Sequence, residues 1–169
     1  VMEVVLMGRS PYLGHRLFER EMDLEIARKA MEWTKILPLS ERPVDELSGG
    51  ERKRVFIARA LAQEPEVILL DEPTTNLDIH HQIDFLDLIL TLNRERGLTI
   101  VMSSHDMNMA SEVCDRLILL KEGEIYRMGT PAEVITRENI ERVYGCGVWV
   151  DRNPVSGMPR ITLLKKGVH

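Results

Sequence analysis

Val67-Ile68-Leu69-Leu70, four aliphatic residues between Pro65 and Pro73, run straight into Asp71-Glu72-Pro73-Thr74-Thr75-Asn76-Leu77-Asp78. A short apolar run with breakers on both sides predicts a strand buried on both faces, the pattern of a parallel sheet. Downstream, a helix is predicted from about Ile79 to Arg96, with Gly97 where a C-cap is wanted. Leu98 to Ser103 then reads as a second buried strand. Strand, helix and strand form a βαβ unit with parallel strands and a right-handed crossover, which implies a layered α/β core.

Upstream, Ile26, Ala30, Trp33 and Leu37 recur at spacings of three or four and predict an amphipathic helix from Asp23 to Leu37, ended by Pro38. A loop, Ser40 to Glu46, follows. After Ser48-Gly49-Gly50 a second helix is expected to about Gln63, apolar through Val55, Ala58 and Leu61, with Arg52, Lys53, Arg54 and Arg59 among its other positions. Beyond the βαβ unit, Arg116 to Leu120 and Glu124 to Met128 read as a hairpin turning at Glu122-Gly123. Thr130-Pro131-Ala132-Glu133 is a capping box opening a helix to about Tyr144. Two short strands, Val148 to Val150 and Arg160 to Leu164, end the pattern. No linker or repeat divides the chain, which reads as one domain: a helical part over about 1–63 and a strand-bearing core with its C-terminal region over about 64–169.

Composition narrows the functional classes. With 169 residues, 44% hydrophobic and 29% charged, the chain can bury a core without disulfides, which excludes a disordered or collagen-like polymer. A formal net charge of −5 is the wrong sign for a surface that grips nucleic acid or anionic lipid throughout. The aliphatic runs are far shorter than the roughly 20 residues of a membrane-spanning helix, and no signal-peptide pattern opens the chain, so a soluble, unexported protein is expected. Cys114 and Cys146 have no metal-ligand spacing and read as reduced thiols.

Two groups of residues carry chemistry. Asp71 and Glu72 stand at the carboxyl edge of the predicted parallel sheet, where open α/β folds bind ligands, and His105 follows the next strand at the same edge. Such a trio suits phosphoryl transfer to water: one carboxylate for Mg²⁺, one to take a proton from water, and a His beside the terminal phosphate. Two loop-capping carboxylates and a plain loop His would give the same residues. Ser48-Gly49-Gly50 at a helix start offers backbone N–H groups and a partial positive charge to an anion. An ordinary helix start with Ser48 as N-cap is the alternative.

Taken together, Leu47-Ser48-Gly49-Gly50-Glu51-Arg52-Lys53-Arg54, then Val67 to Asp78, then Ser104-His105-Asp106 resembles, in order and spacing, the nucleotide-binding subunit of an ATP-binding cassette (ABC) transporter. The fold class so implied is α/β: part of a P-loop NTPase core with parallel strands plus a helical subdomain. By this resemblance Ser48, Gly49, Gly50 and Glu51 form the signature, which meets the nucleotide of the opposite subunit in a head-to-tail dimer. Asp71 binds Mg²⁺, Glu72 polarises the attacking water, Asp78 couples the two sites, and His105 is the switch histidine. ATP and Mg²⁺ are the implied ligands. The implied partners are a second copy, membrane permease subunits and, indirectly, a substrate-binding protein, with no nucleic acid. The implied place is the cytoplasmic face of the cell membrane.

Val5 to Gly14 and Gly129-Thr130-Pro131 to Tyr144-Gly145 are similar to segments of importers for iron-siderophore, haem and cobalamin. A permease-facing surface is then expected between Val1 and Leu39. The family's phosphate-binding loop has a Gly-Lys step, and none of the 11 glycines here is followed by Lys. Gly8 and Gly14, with His15 after them, are one residue too far apart to imitate it. The family's Q-loop glutamine and adenine-stacking aromatic also have no counterpart. The resemblance thus covers the C-terminal two-thirds of such a subunit, and an unpaired strand edge is expected. A non-transport ABC ATPase of DNA repair or translation, and an inactive fragment, are the other functions considered.

Overall fold

The computed structural model describes residues 1–13 and 21–164; Gly14 and His15 lie outside the described residues. Two compact units are present, Val1–Ser103 and Ser104–His169.

The first unit opens with α1 (Met2–Leu6) and α2 (Ser10–Leu13), followed by α3 (Glu21–Trp33) and α4 (Gly49–Leu61). The βαβ unit comes next: β1 (Val67–Leu70), α5 (Ile79–Arg96) and β2 (Thr99–Met102), with the strands parallel and Leu70 opposite Met102. Gly97 closes α5 at φ 65°, a left-handed conformation that glycine adopts without a Cβ penalty. The core gathers Val5, Ala27, Met31, Val55, Ala58, Ile68, Leu88 and Leu92 from the helices and β1. Helix α4 is central to it. A Cβ on Gly8 would collide with the Arg59 carbonyl of α4, so the chain after α1 reaches that helix only through a glycine. Next to it the buried Arg9 donates to Asp23 Oδ1 at 2.9 Å, to the Ala62 carbonyl at 2.7 Å and to Glu64 Oε2 at 2.9 Å.

Three expectations need correction. Helix α3 stops at Trp33, four residues before the predicted Leu37. Lys35 turns left-handed at φ 58°, its N–H donates to the Glu32 carbonyl, and the Ile36 N–H donates to the Met31 carbonyl. That bonding pattern is a Schellman end, with buried Ile36 packed in the same core as Met31, and Leu37–Leu39 form a separate 3-10 turn. Next, neither strand of the parallel pair is buried on both faces: in β1 Ile68 is 4% exposed but Leu69 is 76% exposed, and in β2, expected as a second buried strand, Val101 is 49% exposed. Burial on both faces needs a layer on each side, and among the described residues the sheet holds two strands with one side covered. Finally, the helix expected from Thr130 to Tyr144 is two: α7 (Pro131–Val134) and α8 (Arg137–Tyr144), in the second unit. Thr136 accepts the Asn139 N–H as a new N-cap, while the Asn139 side chain donates to the Val134 carbonyl, so the end of one helix and the start of the next are satisfied together.

The second unit, in chain order, holds α6 (Met107–Val113), a helix not expected from the sequence, and a hairpin of β3 (Leu117–Lys121) and β4 (Glu124–Gly129). Glu122 and Gly123 both have positive φ, 54° and 83°, as the tight hairpin turn requires. An antiparallel pair, β5 (Val148–Arg152) and β6 (Pro159–Leu163), completes it. Its core is Leu119, Val134, Ile135, Ile140, Val148 and Ile161.

Candidate active site

The parallel register that pairs Leu70 with Met102 brings the next residues of both strands together. Ser103 N–H continues the ladder to the Leu70 carbonyl at 2.9 Å, and its hydroxyl then donates to Asp71 Oδ1 at 2.6 Å. Ser103 Oγ in turn accepts the Glu72 N–H at 2.9 Å. One serine thus aims both acidic residues. Glu72 itself has a φ of 40°, an uncommon conformation for a residue with a Cβ and one that clusters at functional sites. The Thr75 hydroxyl donates to Glu72 Oε2 at 2.9 Å, and the Thr75 N–H donates to the Glu72 carbonyl at 3.2 Å. Asp71 and Glu72 are exposed, and Pro73 beneath them is buried. From α4, Lys53 Nζ donates to the carbonyls of Pro73 at 2.6 Å and Thr75 at 2.8 Å. Burial lowers the pKa of this ammonium.

An exposed carboxylate oriented through one oxygen is a fitting hard ligand for Mg²⁺, which takes one or two carboxylates and leaves its remaining positions to water and phosphate. Among the described residues no group of three or more His, Cys, Asp or Glu could hold a metal ion.

At the start of α4, Ser48 has extended backbone and its hydroxyl accepts the Glu51 N–H at 3.3 Å; Glu51 Oε2 accepts the Ser48 N–H at 2.8 Å. This capping box is the ordinary helix start that Ser48 also allowed, and the bond from the Ser48 N–H holds the Glu51 carboxyl below the usual range. The helical ladder begins with Arg52 N–H on the Ser48 carbonyl, so the N–H groups of Gly49 and Gly50 precede it. Open space surrounds the Gly49 Cα, whereas a Cβ on Gly50 would stand 2.8 Å from His81 Cδ2. That imidazole bonds Asp78 Oδ1 through Nδ1 at 2.8 Å, and the same oxygen caps α5 by accepting the His81 N–H at 2.9 Å. These bonds, the backbone one foremost, lower the Asp78 pKa. Asp78 and Gly50 therefore meet through His81.

His105 belongs to the second unit. It is exposed in the segment before α6, beside Asp106, whose N–H donates to Ser104 Oγ at 3.0 Å and whose carboxylate caps the helix. Within the first unit, the fold joins Asp71 to Glu72 and Ser48 to Glu51. Ser103, Thr75, Lys53 and His81 were not singled out in the sequence. Ser103 could have been found from the register, as the residue opposite the Asp-Glu step; the other three depend on tertiary contacts.

Residues 4–75, from α1 to the Thr75 that holds Glu72, match the family described as ABC transporter. Over 97% of its length the chain is 46% identical to the ferric enterobactin transport ATP-binding protein FepC of Escherichia coli strain K12, covering 60% of that protein. Over nearly its whole length, then, this chain is similar to the ATP-binding subunits of ABC transporters. It is also similar in structure to an ABC transporter of the metal-chelate type in an inward-facing conformation, with a TM-score of 0.89, 29% identity and coverage of 98% of this chain and 67% of that one. A further likeness, TM-score 0.61 at 32% identity over 76% of this chain and 55% of the other, is to an ATP-binding cassette solved as a dimer with ADP and phosphate bound. The chain spans about three fifths of the length of FepC. Among the described residues, no helix is long and apolar enough to cross a membrane.

Proposed function

We propose that this chain supplies the signature and the water-activating residues of an ATPase that powers import of a metal chelate. The observation that carries this is the Asp71–Glu72 pair at the carboxyl end of β1, both members aimed by Ser103, with the Glu72 carboxylate held by Thr75. Glu72 accepts a proton from the attacking water as the water oxygen bonds to the γ-phosphorus and the bond from that phosphorus to the β,γ-bridging oxygen breaks, releasing ADP and phosphate. Asp71 holds Mg²⁺, which when bound neutralises charge on the phosphates. Ser48, Gly49, Gly50 and Glu51 present the α4 N-terminus to the nucleotide of a second cassette, where the N–H groups of Gly49 and Gly50 suit a phosphate oxygen. Asp78 sits in the connection between the two sites, and His105 contacts the γ-phosphate. The dimeric cassette with ADP and phosphate supports a second copy as partner. The names of FepC and of the metal-chelate transporter support an iron-siderophore type of cargo. In this reading permease subunits dock on the segment from Val1 to Leu39 at the cytoplasmic face of the membrane.

Glu72→Gln tests the central role, in a cassette extended upstream to the length of its relatives. The change keeps shape and removes the base, so phosphate release should fall at least 100-fold with MgATP affinity retained, a loss in kcat rather than in binding. Turnover near that of the parent would remove Glu72 from the mechanism.

A further inference from the structure

The hydrogen bonds around Glu72 do not stop at its own strand. Thr75 Oγ1 donates to Glu72 Oε2 at 2.9 Å, and the carbonyl of the same Thr75 accepts Lys53 Nζ at 2.8 Å, together with the Pro73 carbonyl at 2.6 Å. Lys53 stands on α4, two residues beyond Glu51 of the capping box that opens that helix. We infer that Lys53 and Thr75 are positioning residues that tie the pose of the Glu72 carboxylate to the signature helix of the same chain. The inference rests on the proposed ATPase reading and adds to it how one element senses another.

The chemistry favours a tether over a chance contact. An ammonium is a point donor on a flexible stem, and two carbonyls a few residues apart give it a fixed seat. Both carbonyls belong to the turn that follows Glu72, where left-handed Glu72 and Asn76, at φ 40° and 62°, leave the backbone irregular and without a strand ladder to fix it. Lys53 supplies that restraint from α4. A shift of α4 when its N-terminus meets a phosphate would move the seat of Lys53, hence Thr75, hence the carboxylate oxygen that Thr75 holds. Positioning errors of this kind act on turnover much more than on ground-state binding.

The test uses a cassette extended upstream to its relatives' length, with kcat and KM for MgATP measured for Thr75→Val, Thr75→Ser, Lys53→Met and the Thr75→Val/Lys53→Met double variant. Thr75→Val keeps shape and loses the hydroxyl; Thr75→Ser keeps the hydroxyl. The expected result is a kcat lowered about tenfold in each of Thr75→Val and Lys53→Met at unchanged KM, Thr75→Ser close to the parent, and a double variant no worse than the weaker single, as coupled residues behave. Parent-like kcat in Thr75→Val, or losses that multiply in the double variant, would overturn the inference. Glu72→Gln is the control that separates the two levels. If Glu72→Gln is inactive while Thr75→Val turns over normally, only the tether fails; if Glu72→Gln is fully active, the ATPase reading beneath it fails.

Discussion

Glu72 shows how far single residues can be read before a structure. Its position after an aliphatic strand marks it as a carboxylate at a sheet edge, and so does that of Asp71. What the sequence does not display is the means by which the pair is aimed, because Ser103 is 31 residues from Glu72 and Lys53 is 20 from Pro73, and only strand register and helix packing bring them in. Gly8 is a different case: nothing in Met7-Gly8-Arg9 announces that its Cα faces the Arg59 carbonyl. Because the obstacle there is backbone, it cannot swing aside. Gly8→Ala should lower the unfolding free energy of the chain by roughly 1–3 kcal/mol, the usual range for overpacking, as read from the denaturant midpoint.

At the scale of elements, local chemistry decides what is readable. The capping boxes at Ser48 and Thr130, the left-handed Gly97 and the Glu122-Gly123 hairpin turn all carry their signals in neighbouring residues, and all form. The end of α3 carries none, since its left-handed residue is Lys35 where glycine is the common choice, and Pro38 draws the boundary too late. The break between α7 and α8 is written in Thr136 and Asn139, but the Thr130 box upstream overshadows it. The α4 capping box also makes two predictions. Ser48→Ala should cost about 1 kcal/mol of stability, measured by thermal unfolding of the chain. The Glu51 arm adds a pH dependence. Its folded pKa is depressed, so its contribution is present above the ordinary carboxylate pKa and is lost as pH falls through the lowered folded value. Glu51→Ala should therefore lower the unfolding midpoint at neutral pH and match the parent once pH is below the carboxylate range; an equal gap at both would rule out the ionised capping bond.

For the molecule as a whole, the α/β class and the parallel βαβ unit follow from the sequence, whereas the one-sided burial of β1 does not, because a run of four aliphatic residues looks the same under one covering layer or two. The nucleotide chemistry is likewise divided. The 169 residues carry candidates for metal binding, water activation and the signature, but no Gly-Lys step to cradle the β- and γ-phosphates. Isothermal titration of this chain with MgATP should accordingly show weak binding at best, and micromolar affinity would reveal a phosphate-binding loop among these residues. The claim that matters most is that Glu72 and Ser48 serve one nucleotide from opposite subunits. Cassettes extended to the relatives' length and carrying Ser48→Arg or Glu72→Gln should each be inactive alone. In a mixed dimer, however, the intact Glu72 of one subunit faces the intact Ser48 of the other, so an equal mixture that exchanges subunits at random should regain about a quarter of the parent's phosphate release. If both residues act on the nucleotide of their own subunit, every site in the mixture is defective, and phosphate release that stays at the level of the separate variants would contradict the split site.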